Sequence, residues 1–231
     1  MCIIAIKPKN IEMFDKDVIE TMFMNNPDGA GYMYYDSISK KVVIKKGFMT
    51  CKALLKDLNS KDLKDTNVIL HFRIGTSGYN DKMNCHPYPI YNKNALNCKT
   101  DLAMAHNGIL QGYIPPKTSD INDTQVFIKN VLSNLKKGFT SDADKLMLIE
   151  ELIGTNKLAF LDSKNKVTLI GNFIKDGDYI YSNNSYKPQL PKTNYYYYEP
   201  KKETTYDYDF WKEYGCESES EFWKEWDLEH N

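Results

Sequence analysis

The order of strand-like and helix-like segments constrains the fold of this chain more than any other feature of its sequence. Short runs of apolar and β-branched residues open the chain, and a polar turn at 36–40 joins two of them as a hairpin. Helical patterns interrupt these runs, and strand-like runs return after the last helix. This order predicts an α+β protein with layered sheets rather than regular βαβ winding. The predicted strands are 2–6, 31–35, 41–46, 66–74, 101–106, 157–161, 167–171 and 179–181, and the predicted helices are 16–24, 52–58, 123–135 and 143–152.

Length, charge and cysteine usage narrow the class of protein. The 231 residues suffice for one well-buried domain, or one domain with an appendage. The formal net charge of -1 gives no electrostatic reason to expect nucleic acid or a membrane surface as the main partner. The five cysteines are irregularly spaced, no charged-then-apolar leader precedes Cys2, and no apolar run approaches the ~18 residues of a membrane span. We therefore expect a cytoplasmic protein with reduced thiols.

The composition changes near Pro188, which predicts a main domain at 1–187 and a C-terminal tail at 188–231. Four consecutive tyrosines at 195–198 are followed by a Phe-Trp-Lys-Glu repeat at 210–213 and 222–225, in an acidic setting. Two interpretations remain open. The tail forms short amphipathic helices that dock on the domain, or it is a partner-binding or partly disordered segment.

Cys2 is the first candidate for chemistry, although a cysteine at an arbitrary position is more often a buried structural residue. Methionine before a small residue is usually removed in the cell, which would leave Cys2 with a free α-amine. The pKa of such an amine is roughly 7.7–8.0. It can take the thiol proton and later donate one to a leaving amine, so this nucleophile needs no separate histidine.

Two further segments offer groups that such a nucleophile requires. Arg73 ends a strand before a loop with two glycines, and its planar fork suits a carboxylate, although a surface arginine at a strand end is the plainer interpretation. Asn107 and Gly108 follow another strand. An Asn-Gly pair is first of all a turn signal, but it can also direct a side-chain amide and a backbone N–H at one oxyanion.

Three of the four histidines lie near these segments, at 71, 86 and 106, which raises the question of a metal site with Cys85 and Cys98. Neither a Cys-x-x-Cys nor a His-x-x-x-His spacing is present. We therefore expect no metal and no other cofactor.

Taken together and in this order, the motifs resemble those of the class II glutamine amidotransferases, which are N-terminal-nucleophile hydrolases. The resemblance covers roughly the first 185 residues. It rests on Met1-Cys2-Ile3-Ile4, His71-Phe72-Arg73, His86-Pro87, His106-Asn107-Gly108 and Asp123-Thr124-Gln125.

The resemblance implies a four-layer αββα sandwich of two antiparallel sheets and hydrolysis of the glutamine side-chain amide to glutamate and ammonia. Cys2 would attack the amide carbon and form a thioester, while Asn107 and Gly108 would hold the oxyanion. Arg73 would bind the substrate α-carboxylate and Asp123 its α-ammonium. Thr76 and His86 would line the pocket.

Members of this family usually carry an acceptor domain, whereas only the aromatic, acidic tail follows residue 185 here, so we expect the acceptor to be separate or absent. Either a separate synthase subunit receives the ammonia, with the tail as a docking segment, or free hydrolysis is the reaction. Two other functions are weighed against this one. They are an amidase acting on another γ-glutamyl compound, and a catalytically idle fold used for binding.

Overall fold

The computed structural model describes residues 2–75, 81–116 and 118–188. The predicted tail, except for its first residue, lies outside these ranges, so the boundary at 187 stays a prediction. The strands are β1 Ile3–Lys7, β2 Ala30–Asp36, β3 Lys41–Phe48, β4 Val68–Phe72, β5 Tyr88–Pro89, β6 Asn97–Thr100, β7 Leu102–Asn107, β8 Lys157–Asp162, β9 Val167–Ile170, β10 Ile174–Asp176 and β11 Tyr179–Tyr181. The helices are α1 Lys16–Asn25, α2 Cys51–Asn59, α3 Asp123–Asn130 and α4 Ala143–Ile153.

The strands form two antiparallel sheets. The first has the order β10-β11-β1-β4-β2-β3-β6, and the second has the order β5-β7-β8-β9. In the first sheet β1 lies between β11 and β4, with Ala5 opposite Tyr181 on one side and Leu70 on the other. The start of β1 therefore lies next to the end of β4, where Ile3 pairs with Phe72. This pairing places Cys2 close to Arg73, although 70 residues separate them in sequence.

Three apolar clusters define the layers. One cluster joins the facing sides of the two sheets, with β-branched side chains such as Ile4 and Ile69 opposite the small residues Ala103, Ala105 and Ala159. The other clusters pack α1 and α2 on the outer face of the first sheet, and α3 and α4 on the outer face of the second. Because both faces of β1 and β4 are covered, every residue of these strands is buried. The predicted αββα sandwich is confirmed.

Local sequence signals explain the helix positions. In α2, Leu54 and Leu58 are one turn apart and point into the core, and the Thr50 side chain accepts a hydrogen bond from the Ala53 amide as an N-cap. Asn122 caps α3 in the same way through the Gln125 amide. Among the described residues, no helix has the length and apolar character needed to cross a bilayer.

The structure differs from the sequence-based expectation in two respects. The predicted helix at 123–135 was too long, because Val131 leaves helical geometry (φ -120°, ψ -69°) and a short 3-10 turn follows at Leu132–Asn134. The strands β5, β6 and β10 were not predicted. They are two to four residues long, which is too short for a clear alternating pattern.

Candidate active site

Cys2 lies immediately before β1 and is almost fully buried. Its Sγ is 3.3 Å from the Ile74 amide nitrogen and 3.4 Å from the Ile74 carbonyl oxygen, and its own carbonyl accepts a hydrogen bond of 2.7 Å from Asn183 Nδ2. Burial raises the pKa of the Cys2 thiol, and this effect outweighs the Ile74 backbone hydrogen bond and the nearby positive charges that lower it. The thiol is therefore protonated near neutral pH, so that its use as a nucleophile requires a base.

A small cavity brings Cys2 together with most of the other predicted site residues. Its volume is about 20 Å³, which is room for about one water molecule, so binding of an amino acid requires its walls to move. The residues that line it are Cys2, Arg73, Ile74, His86, His106, Gly108, Asn122, Asp123 and Thr124. Thr76, which was predicted to line the pocket, lies outside the described residues.

Arg73 contributes a fixed positive charge at the end of β4. Its side chain is only 3% exposed, and its guanidinium packs under Gly75, where an added Cβ would lie 3.2 Å from Nη2. The Arg73 backbone is held on both sides, by hydrogen bonds from the Asp28 amide to its carbonyl and from its own amide to the Gly29 carbonyl. These contacts fix the Arg73 backbone, and the packing under Gly75 restricts where its guanidinium can lie.

Asp123 contributes a fixed negative charge at the first residue of α3. One carboxylate oxygen accepts a hydrogen bond of 2.8 Å from the Leu110 amide, and the other accepts one of 2.9 Å from the Thr124 amide. The side chain is 4% exposed. One buried cavity therefore presents both a cation and an anion.

Asn107 and Gly108 lie at the end of β7. Gly108 has φ +139°, and a Cβ there would be 1.9 Å from Asn156 Oδ1, so only glycine fits this position. Asn107 is buried, and its Nδ2 is 2.8 Å from Ser182 Oγ. Asn107 does not line the small cavity. Together with Gly108 it lines a neighbouring cleft of about 730 Å³, which continues along the segments at 108–113 and 151–157.

The three clustered histidines bind one another through hydrogen bonds. His71 Nε2 is 3.0 Å from the His106 carbonyl and 2.8 Å from His86 Nδ1. Thr124 Oγ1 lies between His86 Nε2 at 3.2 Å and His106 Nδ1 at 2.8 Å, and His106 Nε2 is 3.0 Å from Asn156 Oδ1. One assignment satisfies all these contacts. His71 carries its proton on Nε2 and shares it between the His106 carbonyl and His86 Nδ1. His86 donates from Nε2 to Thr124, which donates to His106 Nδ1, and His106 Nε2 donates to Asn156 Oδ1.

That assignment requires all three histidines to be neutral, and their pKa values agree with it. Burial lowers the pKa of His71 to about 3 and holds the pKa of His86 well below its ordinary value. Burial also lowers the pKa of His106, although Asn156 and Asp123 oppose the effect. Among the described residues, no group of three or more His, Cys, Asp or Glu side chains is arranged to hold a metal ion.

Some residues that shape the site were not predicted from the sequence. Thr124 connects two histidines, Asn156 packs against Gly108, and Ser182 and Asn183 follow β11 and contact Asn107 and Cys2. A polar pair after a strand is too common to be recognised without knowing that β11 lies beside β1.

One family model matches most of the chain. Residues 20–179, more than two thirds of the chain, match the glutamine amidotransferases of class II. A curated relative is the isomerizing glutamine–fructose-6-phosphate aminotransferase of Methanothermobacter thermautotrophicus, which is 24% identical over 154 residues, or 61% of this chain and 25% of that protein. A similar solved structure is the glutamine phosphoribosylpyrophosphate amidotransferase of B. subtilis in complex with ADP and GMP. It aligns with a TM-score of 0.47 and 20% identity over 78% of this chain and 41% of that one.

The chain thus spans about a quarter of the length of the curated relative and less than half of the solved chain. The family match begins after Cys2 and does not bear on it.

Proposed function

Because the chain belongs to the class II glutamine amidotransferases, we propose that it hydrolyses the side-chain amide of glutamine through a thioester on Cys2. The observation that carries this proposal is the shared cavity. A thiol, a guanidinium, a carboxylate and the backbone of Gly108 face one buried space. Free glutamine carries an α-carboxylate, an α-ammonium and an amide carbonyl, so each of these groups has a chemical counterpart.

The first half of the reaction forms the thioester. With Met1 removed, the α-amine of Cys2 takes the thiol proton, and Sγ attacks the amide carbon so that a C–S bond forms. The Asn107 side chain and the Gly108 N–H stabilise the resulting oxyanion. The Cys2 ammonium gives its proton to the amide nitrogen, the C–N bond breaks, and ammonia leaves.

The second half releases glutamate. Water attacks the thioester while the Cys2 amine takes one of its protons, and a second oxyanion forms at the same place. The C–S bond then breaks, the amine returns the proton to Sγ, and glutamate dissociates. Because the pKa of the Cys2 thiol is raised, little of it is ionised near neutral pH. The amine is therefore needed as the base that takes the thiol proton.

Substrate binding pairs one protein charge with each of the two charged groups on the α-carbon of the amino acid. Arg73 pairs with the α-carboxylate, Asp123 pairs with the α-ammonium together with the Gly108 carbonyl, and His86 forms part of the wall. Thr76, outside the described residues, is proposed to complete the wall.

The ammonia is proposed to pass to a separate synthase subunit, which the tail at 188–231 would recruit. Support comes from the glutamine–fructose-6-phosphate aminotransferase of Methanothermobacter thermautotrophicus, of which this chain covers only 25%. Without such a partner, the chain would hydrolyse glutamine and release the ammonia into solution.

A second candidate is hydrolysis of a γ-glutamyl amide with a larger leaving amine. The observation that favours it is the cleft of about 730 Å³ beside Asn107 and Gly108, which has room for a group larger than ammonia.

A direct assay of the purified chain separates these functions. Ammonia release from glutamine should be compared with amine release from γ-glutamyl amides of increasing size. A higher kcat/KM for glutamine supports the first proposal, and a higher value for a larger amide supports the second. Absence of hydrolysis for every substrate, with the N-terminus verified as Cys2, contradicts both and favours a binding role.

Arg73→Lys is expected to raise KM for glutamine about 10-fold or more while kcat changes little. The reason is that an ammonium is a point charge, whereas the guanidinium offers two parallel donors to a carboxylate. Steady-state kinetics with glutamine would measure this effect. A drop in kcat at constant KM would contradict the assignment of Arg73 to substrate binding.

Asn107→Ala is expected to lower kcat by about 10²–10³-fold with little change in KM, because an oxyanion donor acts mainly in the transition state. The same assay measures it, with thermal unfolding as a control for folding. A rise in KM with kcat unchanged would show that Asn107 binds the substrate ground state instead.

A further inference from the structure

Ser182 connects the candidate oxyanion group to the strand that carries the nucleophile. It directly follows β11 and is 0% exposed. Its amide donates to the Ile4 carbonyl at 2.9 Å, and its Oγ accepts from the Ile4 amide at 2.8 Å. The Ser182 hydroxyl is thereby fixed against β1, two residues from Cys2.

The contact between Ser182 and Asn107 leaves two buried polar groups unsatisfied. Asn107 Nδ2 lies 2.8 Å from Ser182 Oγ, so this oxygen faces two N–H donors. The hydroxyl proton of Ser182 then has no acceptor among the described residues. On the other side of the amide, Asn107 Oδ1 is buried without a hydrogen-bond partner among them. Both groups have lost their hydrogen bonds to water without gaining one in the protein, which lowers the stability of the folded state.

A half-turn of the Asn107 amide satisfies both groups. The amide oxygen and nitrogen have nearly the same size, so their exchange preserves the shape of the side chain. Oδ1 then accepts the Ser182 hydroxyl proton across the same 2.8 Å contact, while Ser182 Oγ keeps the Ile4 amide as its donor. The Nδ2 group moves to the position without a protein partner, where a substrate oxygen could accept from it.

We propose that Ser182 is a positioning residue that donates to Asn107 Oδ1 and so holds the Asn107 Nδ2 group toward the oxyanion. This inference rests on the proposed function, since the oxyanion arises only during amide hydrolysis. The Ser182 hydroxyl selects one of the two amide orientations before substrate binds. The donor therefore needs no reorientation when negative charge develops on the substrate oxygen.

The orientation itself can be measured without activity. In the full-length chain labelled with ¹⁵N-asparagine, the Asn107 side-chain NH₂ protons are expected to show no strong NOE to the Ser182 β-protons, because the amide oxygen faces that residue. Strong NOEs between them would show that Nδ2 donates to Ser182, and would overturn the proposal whatever the chain catalyses.

The kinetic test is a double-mutant cycle. Ser182→Ala is expected to lower kcat about 10-fold with KM little changed, since the amide loses the partner that orients it. In an Asn107→Ala background the same change is expected to lower kcat by less than about 2-fold, because its target is already absent. A 10-fold loss in both backgrounds would show that Ser182 acts through Ile4 and Cys2 instead, and would overturn the proposal.

Three further variants serve as controls. Ser185 lies in the same loop, and its hydroxyl forms no hydrogen bond with the described residues. Ser185→Ala should therefore leave kcat unchanged. If Ser182→Ala is too unstable to assay, Ser182→Thr and Ser182→Cys replace it, and kcat is expected to be higher for threonine, the stronger donor. The reverse order would contradict the proposal.

If the wild-type chain hydrolyses no amide, the proposed function fails, whereas the NOE measurement still decides the orientation of Asn107.

Discussion

Replacing Cys2 by alanine is expected to lower ammonia release from glutamine by about 10⁴-fold or more. In the proposed mechanism the thioester forms on the Cys2 sulfur. Removal of a covalent nucleophile leaves only the weak catalysis that substrate binding and oxyanion donors provide. Released ammonia, measured with a coupled dehydrogenase, would report the rate. The variant should keep its fold, because Cys2 precedes β1 rather than forming part of its ladder.

Cys98→Ala is the matched control for this substitution. Cys98 lies in β6 and does not line the cavity that contains Cys2, so its removal should leave the rate within about 2-fold of the original. Substantial activity in the Cys2 variant, or a large loss in the Cys98 variant, would place the nucleophile elsewhere.

Acidification from pH 8 to pH 5 is expected to lower the free energy of unfolding, and His71 alone should account for about 2 kcal/mol of the loss. His71, His86 and His106 are buried and neutral, with their pKa values lowered by burial, whereas in the unfolded chain each titrates near the ordinary value of about 6.5. The unfolded state therefore binds more protons below pH 6.5, and stability must fall as pH falls. His71, with a folded pKa of about 3, contributes about 2 kcal/mol by pH 5, and the lowered pKa values of His86 and His106 act in the same direction.

Urea denaturation at several pH values between 8 and 5 would measure this loss. The window lies above the range in which carboxylates titrate, but Lys46, whose pKa burial lowers to about 7, also takes up a proton within it, so a variant is needed to isolate a histidine. His71→Gln keeps a donor at the place of Nε2 for the His106 carbonyl but cannot be protonated. The variant should be destabilised about 2 kcal/mol less by acid than the original chain. Identical pH profiles for the two proteins would show that His71 is not held neutral in the folded state.

The sequence predicted the layered α+β fold because its longer strands and helices carry strong local patterns. β1 is a continuous apolar run, and α2 places Leu54 and Leu58 one turn apart. The same local signals could not reveal β6, whose residues alternate between exposed and half-buried positions before one buried threonine. That strand pairs with β3 through contacts distant in sequence, such as Ile44 opposite Cys98.

The sequence pointed to several residues that the structure brings together in the small cavity, but not to the residues that hold them in place. Cys2, Arg73 and Asp123 carry chemistry that can be recognised from residue type and order along the chain. Ser182 has no such signal, because its importance depends on a contact with Asn107 across 75 residues. The neutral state of the clustered histidines likewise follows from complete burial, which their spacing does not show.

Reaction with a diazo-ketone analogue of glutamine, followed by peptide mass spectrometry, tests the central claim most directly. If Cys2 is the nucleophile, we expect a single adduct on a peptide that begins with Cys2, Met1 having been removed, and protection of that peptide by excess glutamine. An adduct on Cys51 or Cys98 would contradict this claim, as would labelling of a peptide that retains Met1 and therefore lacks the free amine of Cys2.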